Sequence, residues 1–288
     1  MSVSEKIKKI EDKWLHIILP YIKYVFKDKW LPSHDHIHSI RTWNYAKELI
    51  TSYSINTQNV DIISIENLLI ASLFHDTGMS ISYDSKHGKI SKEICEEFFK
   101  TKCSKNPEEL NHILDAIEYH DDKSYRKEIF KKSTKKLETL PFLSVADDLD
   151  SFGAFGIFRF WEIYVLREYP KHNIPEKVLL SLDSRFNHFN SQFSNDDSLI
   201  NFHRNRYQKT KLFYNQLLND CKIDKNTLTN TIKIVNLLDK LIIQDMVSPE
   251  KILPHIQSIN DNREILVFFT EFVDDCCNKN KHVSKLLT

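Results

Sequence analysis

Three short segments of the sequence carry side chains that bind divalent metal ions. The first contains His34 and His38, the second is the adjacent pair His75-Asp76, and the third is the acidic run 147–150. Two imidazoles and two carboxylates suit a divalent transition metal or Mg²⁺ and leave coordination positions open. Such a metal lowers the pKa of bound water from ~15.7 to about 7 and polarises a phosphoryl oxygen. These residue types therefore predict attack by metal-activated water.

The first segment lies at the start of a predicted helix. Ser33 follows Pro32, and this order is typical of a helix N-terminus with Ser33 as the N-cap. In a helix that begins there, His34 and His38 lie four residues apart and share one face with Arg41. That polar face lies beside an apolar stripe, which is the placement that a site at the edge of a core requires.

The pair His75-Asp76 closes a long, predominantly apolar stretch. Residues 59–75 end in the apolar run 68–74, and this pattern continues back through Ile62, Ile63 and Ile65. It is too long for a buried strand, so we interpret the segment as a buried helix. Gly78 then provides the C-terminal stop of that helix. Adjacent helical residues point about 100° apart, but at a helix end both side chains can turn toward one cation.

Composition argues against several other classes of function. The 288 residues carry a formal net charge of +0, which predicts neither nucleic-acid nor membrane-surface binding. The chain has only four glycines and no Gly-rich phosphate loop. Its five irregularly spaced cysteines predict neither a zinc site nor a disulfide framework. With no signal-peptide pattern and no apolar run of membrane-spanning length, we expect a cytoplasmic protein.

Apolar residues recur at steps of three and four along nearly the whole chain, which predicts an all-α fold. A core of five or more helices is expected to surround the metal site. We expect residues 1–222 to form one domain, with its motifs at about 30–160, and residues 223–288 to form a C-terminal helical extension. Helices are expected near 4–27, 34–50, 59–75, 87–100, 107–120, 136–147, 151–168, 176–192, 199–221, 226–245, 249–258 and 263–277.

Taken together, the motifs resemble a known family. His38 and Arg41 form an HxxR motif, the pair His75-Asp76 follows, and Asp147 comes last. This order resembles the H…HD…D signature of the HD-domain metal-dependent phosphohydrolases. The resemblance implies an HD-domain-like helical core in which these motifs bind a metal ion.

Two longer stretches are similar to one bacterial branch of that family, which includes nucleotide pyrophosphatase-like proteins. His34, Asp35 and His38 follow the HDxxH opening of the branch. Residues 147–159 read DDLDSFGAFGIFR and are similar to its DRLDAxGAxGIxR stretch. The resemblance covers roughly residues 30–220.

The resemblance also implies the ligand set. The metal ligands it implies are His38, His75, Asp76 and Asp147. Some relatives hold a second metal with further histidines, and His87 and His120 stand where such residues would lie. Met79 occupies a position where some dinuclear members have Lys, which argues against two metals. The identity of the metal stays open among Mn, Mg, Co, Ni, Fe and Zn.

The remaining candidate residues each have two interpretations. His34 contacts a substrate phosphate or lies on a solvated face at the helix start. Arg41 binds a phosphate or pairs with a carboxylate. His120 contacts substrate, protonates the leaving group or binds a second metal. If His120 does not protonate the leaving group, bulk water does. The alternative for His87 is a capped helix start beside Gly88.

We therefore expect an enzyme, a metal-dependent phosphohydrolase that cleaves a phosphate ester or phosphoanhydride of a nucleotide or similar small phosphate. One alternative is a nucleotide phosphodiesterase with a dinuclear site that uses His87 and His120. An alternative of another class is a non-catalytic helical module that binds metal or nucleotide. The expected partner is a small phosphorylated substrate rather than a membrane or nucleic acid, and the sequence predicts no particular oligomeric state.

Overall fold

The computed structural model describes residues 1–57, 60–84, 86–122, 137–221 and 228–277. This part of the chain is helical and contains no strand, which confirms the predicted all-α fold. Its helices are α1 (Val3–Val25), α2 (His36–Thr57), α3 (Ile62–Phe74), α4 (His87–Thr101), α5 (Leu110–Tyr119), α6 (Thr139–Asp150), α7 (Gly153–Leu166), α8 (Ile174–Gln192), α9 (Asp197–Asp220), α10 (Asn230–Leu237), α11 (Ile252–Ile259) and α12 (Arg263–Cys277). Among these residues no helix has both the length and the hydropathy that crossing a bilayer requires.

The chain divides into two compact units. The first contains Met1–Leu149 and His188–Asp196, and the second contains Asp150–Asn187 and Asp197–Thr288. The division between these two units does not fall at residue 222. The assignment of residues 1–222 to one domain and 223–288 to an extension stays a prediction. Residues 222–227 and 278–288 lie outside the described part of the chain, as do residues 59 and 136, where helices are predicted to start.

In the first unit, α3 forms the centre, and α1, α2 and α5 pack around it. Its residues from Ser64 to Phe74 are all buried, which explains why this helix is apolar on every side. Glu66 is an acidic exception within the helix. Its carboxylate accepts hydrogen bonds from Trp14 Nε1 and Lys13 Nζ, each at 2.6 Å, and this pairing compensates for the loss of hydration on burial.

Helix α2 begins later than the sequence pattern predicts. Asp35 Oδ1 accepts the backbone N–H groups of Ile37 at 2.8 Å and His38 at 3.4 Å, so Asp35 caps the helix. The prediction that Ser33 is the N-cap is wrong, because its hydroxyl oxygen lies 2.6 Å from His34 Nδ1 instead. His34 therefore precedes the helix, and a turn rather than a shared helix face brings it toward His38.

Gly78 has a different role from the one predicted. Helix α3 ends at Phe74, and Gly78 lies in the short 3₁₀ turn that follows, Thr77–Ser80. A Cβ atom at this position would lie 2.1 Å from the carbonyl oxygen of His87. The glycine therefore allows the turn to approach the first residue of α4, and it does not act as a helix stop.

In the second unit, α7 packs against α9 and α12. Tyr214 of α9 donates its hydroxyl hydrogen to the carbonyl oxygen of Ile157 at 2.7 Å. Asp275 of α12 accepts the backbone N–H of Ala154 at 2.8 Å. Gly153 begins α7 with a φ of +89°, a conformation that favours glycine. Part of the predicted C-terminal extension is thus packed on α7 within this unit.

Candidate metal centre

Side chains from three helices meet in a buried cluster within the first unit. His38 comes from α2, His75 and Asp76 stand directly after α3, and Asp147 comes from α6. One donor atom of each lies within 4.8 Å of the donor atoms of the other three. All four side chains are buried. We call this set the four-residue group.

The imidazole of His38 makes the shortest contacts in the four-residue group. Its Nε2 atom lies 3.0 Å from His75 Nε2 and 3.2 Å from Asp76 Oδ2. It also lies 3.5 Å from Asp147 Oδ1. His75 Nε2 faces the same two carboxylates at 3.5 and 3.7 Å. Two ring nitrogens and two carboxylate oxygens thus converge on one small volume.

A second cluster uses the other oxygen of the same aspartate. Asp76 Oδ1 lies 3.1 Å from His120 Nε2 and 3.4 Å from His87 Nε2. The two imidazole nitrogens are 3.3 Å apart. We call Asp76, His87 and His120 the three-residue group. Its donor atoms also lie within 4.8 Å of one another, so Asp76 is common to both groups.

Backbone carbonyl groups set the orientation of three of these four imidazoles. In each case Nδ1 lies against the carbonyl oxygen of the residue three positions earlier. The pairs are His75 with Ser72 at 2.9 Å, His87 with Asp84 at 2.6 Å, and His120 with Ile117 at 2.7 Å. A neutral imidazole that donates its Nδ1 hydrogen has its lone pair on Nε2. When these three imidazoles are neutral, the hydrogen bonds therefore direct their Nε2 lone pairs toward Asp76 and its neighbours.

This arrangement fits a divalent metal ion. Imidazole lone pairs and carboxylate oxygens are all hydrogen-bond acceptors, and acceptors at 3.0–3.7 Å repel one another unless a proton or a cation lies between them. A set of two imidazoles and two carboxylates is common to the sites of several transition metals. Histidine ligands of metals usually donate the hydrogen of their other ring nitrogen to a backbone carbonyl or carboxylate, as three imidazoles do here.

The comparison with protein families agrees with this geometry. Residues 36–153 match the HD domain family model. The match supports assignment to the HD metal-dependent phosphohydrolase superfamily, whose members generally bind divalent metals and act as hydrolases. No curated protein and no solved structure gave a match. The matched residues 36–153 include every residue of the two groups, whereas His34 lies just before them.

The charges around the two groups favour an ionised Asp76. Burial alone would raise the pKa of this carboxyl, but the charge of His75 and hydrogen bonds from His120, His38 and His87 hold it well below its usual value. Burial lowers the pKa of His75, which favours the neutral, metal-binding form of its imidazole. Both shifts act in the direction that metal coordination requires.

His87 is in a different state in the metal-free protein. Burial lowers its pKa, but the hydrogen bond to Asp76, the charge of Asp76 and the hydrogen bond to the Asp84 carbonyl together outweigh burial and raise the pKa to about 9. The metal-free protein thus carries a proton on His87 at neutral pH. A metal at the three-residue group would have to displace that proton.

Two glycines of the HD domain allow His87 to reach the cluster. Gly78 lets the turn after Asp76 approach the start of α4, as described above. A Cβ atom on Gly88 would lie 2.5 Å from the carbonyl oxygen of Glu118, so this glycine lets α4 approach the end of α5. Gly78 and Gly88 stand on either side of His87 in the sequence, but the sequence pattern predicts only a helix stop for Gly78 and no contact for Gly88.

His34 and Arg41 lie close to the four-residue group and are both buried. The imidazole ring of His34 is 5.5 Å from that of His38, so a solvated face does not describe its position. Arg41 Nη2 donates to the carbonyl oxygen of Ser33 at 3.0 Å. Its charge also lowers the pKa of Asp35, although burial raises that pKa overall. Arg41 thus supports the turn that carries His34.

Proposed function

We propose that this protein is a metal-dependent phosphohydrolase that cleaves a phosphate ester or phosphoanhydride of a nucleotide or similar small phosphate. The observation that carries the proposal is the four-residue group, in which buried imidazole and carboxylate acceptors face one another inside an HD domain. The resemblance to nucleotide pyrophosphatase-like bacterial proteins points to a nucleotide. The neutral net charge and the family resemblance suit a cytoplasmic enzyme of small substrates.

In this proposal some residues of the cluster bind the metal and others transfer protons. In this proposal the ligands are His38, His75, Asp76 and Asp147. When bound, a divalent ion lowers the pKa of a coordinated water from ~15.7 to about 7 and withdraws charge from a phosphoryl oxygen. All four side chains are buried, and their reduced contact with water strengthens electrostatic interactions among them.

His120 has two roles that exclude each other. Its Nδ1 donates to the Ile117 carbonyl, so Nε2 is the atom that faces Asp76 at 3.1 Å. With one metal bound, this atom can hold a proton beside Asp76 and give it to the leaving-group oxygen. With two metals bound, the same lone pair binds the second ion, and bulk water protonates the leaving group.

His34 is the proposed contact for the substrate phosphate. Its ring lies 5.5 Å from that of His38, and the Ser33 hydroxyl oxygen lies 2.6 Å from its Nδ1, so the imidazole is held next to the four-residue group. Arg41 contributes to phosphate binding indirectly in this proposal. Its guanidinium donates a hydrogen bond to the Ser33 carbonyl oxygen and thereby supports the turn that carries His34. A neutral or protonated imidazole here would help to hold phosphate charge.

The assignment is tested by metal content and activity measured on the same protein. The wild type is expected to carry a divalent metal that is lost on His75→Ala or Asp76→Ala. His112→Ala is the matched control, because His112 is an exposed histidine of the same unit. Activity is measured on nucleoside mono-, di- and triphosphates with Mn²⁺, Mg²⁺, Co²⁺ and Ni²⁺. If both variants retain wild-type metal content and activity, the ligand assignment is wrong.

A second candidate function is a nucleotide phosphodiesterase with a dinuclear site. The three-residue group favours it, because Asp76 offers its second oxygen to His87 and His120. In that case the wild type should hold two metal ions and cleave cyclic or linear nucleotide diesters, and His87→Ala should abolish this activity. Inactivity toward all of these substrates, with metal still bound, would instead favour a non-catalytic binding module.

A further inference from the structure

Ser91 connects the helix that carries His87 to the turn that follows Asp76. Its hydroxyl oxygen accepts the backbone N–H of Gly78 at 2.7 Å. The side chain of Ser91 is completely buried. Because Ser91 lies one helical turn after His87 on α4, this hydrogen bond joins the segments that carry Asp76 and His87, two of the three members of the three-residue group.

The two segments are in close contact around this hydrogen bond. A Cβ atom on Gly78 would lie 2.1 Å from the His87 carbonyl oxygen and 2.9 Å from the Ser91 backbone nitrogen. His87 Nε2 lies 3.4 Å from Asp76 Oδ1 in this arrangement. Metal–ligand distances tolerate a spread of only about 0.2 Å. A small shift of α4 would therefore remove His87 from the reach of an ion that Asp76 also binds.

We propose that Ser91 is a positioning residue, which sets the distance between His87 and Asp76 and thereby the metal affinity of the three-residue group. Ser91 acts through the backbone of Gly78 and through its own helix, not as a metal ligand. The inference rests on the proposed assignment of Asp76 and His87 as ligands. It adds a reason why the buried polar residue on this turn of α4 is a serine.

The test measures binding of Co²⁺ to the purified full chain without substrate, by titration calorimetry and visible absorption. Ser91→Ala removes the hydroxyl, and Ser91→Cys nearly preserves side-chain volume with a weaker acceptor. Ser64→Ala is the matched control, because Ser64 is also a buried serine with a hydroxyl bond, to Asp61, at the other end of α3. His87→Ala and the Ser91→Ala/His87→Ala double variant complete the set.

We expect both Ser91 variants to bind the weaker equivalent of Co²⁺ about 10–100-fold less tightly, with the tighter equivalent unchanged. Ser64→Ala should bind both equivalents like the wild type. The double variant should bind no more weakly than His87→Ala alone, because both changes remove the same ligand. The Ser91→Cys variant serves as the test if Ser91→Ala does not fold.

Three results would overturn the inference. These are wild-type Co²⁺ affinity in the Ser91 variants, a loss that adds fully to that of His87→Ala, and a His87→Ala protein that binds Co²⁺ like the wild type. None of these measurements depends on phosphate hydrolysis. An inactive protein with the expected Co²⁺ profile would contradict the proposed function and leave the role of Ser91 supported.

Discussion

Asp76 Oδ1 lies 3.1 Å from His120 Nε2, although 44 positions separate the two residues along the chain. The other carboxylate oxygen of Asp76 lies 3.2 Å from His38 Nε2. One aspartate therefore belongs to both the four-residue and the three-residue group. Changes at this residue should differ in their consequences from changes at any other member of the cluster.

Replacing Asp76 by Asn is expected to remove all tightly bound divalent metal, because the neutral amide loses the charge and one acceptor atom that the two groups share. Asp147→Asn is the matched comparison, since Asp147 belongs to the four-residue group. It should weaken binding in that group and leave the three-residue group able to bind. Metal analysis of dialysed protein measures both, and wild-type metal content in Asp76→Asn would exclude the shared role.

His120→Ala separates the two roles of His120. If His120 is the general acid, kcat should fall by about 10²–10⁴-fold with the metal content unchanged. If His120 binds a second metal, the variant should lose one equivalent of metal together with its activity. Metal analysis and steady-state kinetics on the same preparation distinguish the two results. A variant with unchanged metal content and unchanged kcat would exclude both roles.

The metal-free protein is expected to become less stable between pH 6.5 and about pH 9. Burial lowers the pKa of His87, but the hydrogen bond to Asp76 and the charge of Asp76, with the hydrogen bond to the Asp84 carbonyl, together raise the pKa from 6.5 to about 9. A group whose pKa is raised on folding contributes stability that is complete below pH 6.5 and is lost as the pH rises through about 9. Thermal unfolding of chelator-treated protein across this range measures the loss. His87→Gln should flatten the curve, and an equally steep curve in that variant would contradict the assignment.

Metal binding at the three-residue group should release a proton at pH 7.5. The protonated His87 must lose its hydrogen before Nε2 can bind a cation. Calorimetric titration in buffers of different ionisation enthalpy measures the number of protons released per metal. The His87→Ala variant should release about one proton fewer. Equal release by the wild type and the variant would show that His87 is not displaced by the metal.

Gly88→Ala should destabilise the protein, although alanine normally stabilises a helix relative to glycine by about 1 kcal/mol. The added Cβ would lie 2.5 Å from the Glu118 carbonyl oxygen, so α4 and α5 must move apart. Overpacking of this kind typically costs about 1–3 kcal/mol. Lys89→Ala, an exposed change on the same helix, is the control. Denaturant unfolding gives both values, and a stabilised Gly88→Ala protein would contradict the close approach.

Local features of the sequence were sufficient to predict the helical fold and the identity of the main candidate ligands. The helices follow from apolar periodicity. This periodicity is visible within a few turns of each segment and does not depend on contacts with distant segments. The HD pair and the acidic run at 147–150 were recognisable from residue type and order. The family match over residues 36–153 agrees with that interpretation.

Features that depend on contacts between distant segments could not be predicted from local sequence patterns. The start of α2 depends on which acceptor, Ser33 or Asp35, captures the first free N–H groups, and the turn geometry decides in favour of Asp35. The prediction that Gly78 stops a helix is wrong. The role of this glycine depends on its contact with His87, which lies on a separate element and leaves no local pattern in the sequence.

The sequence by itself thus determined the helices and the residue types that can bind a metal, because both are expressed locally. Only the tertiary structure decided that Asp76 turns one oxygen toward His38 and the other toward His87 and His120. That arrangement requires α4 and the end of α5 to approach the turn after α3. The physical reason is close packing, since two glycines remove the side chains that would otherwise hold these backbones apart.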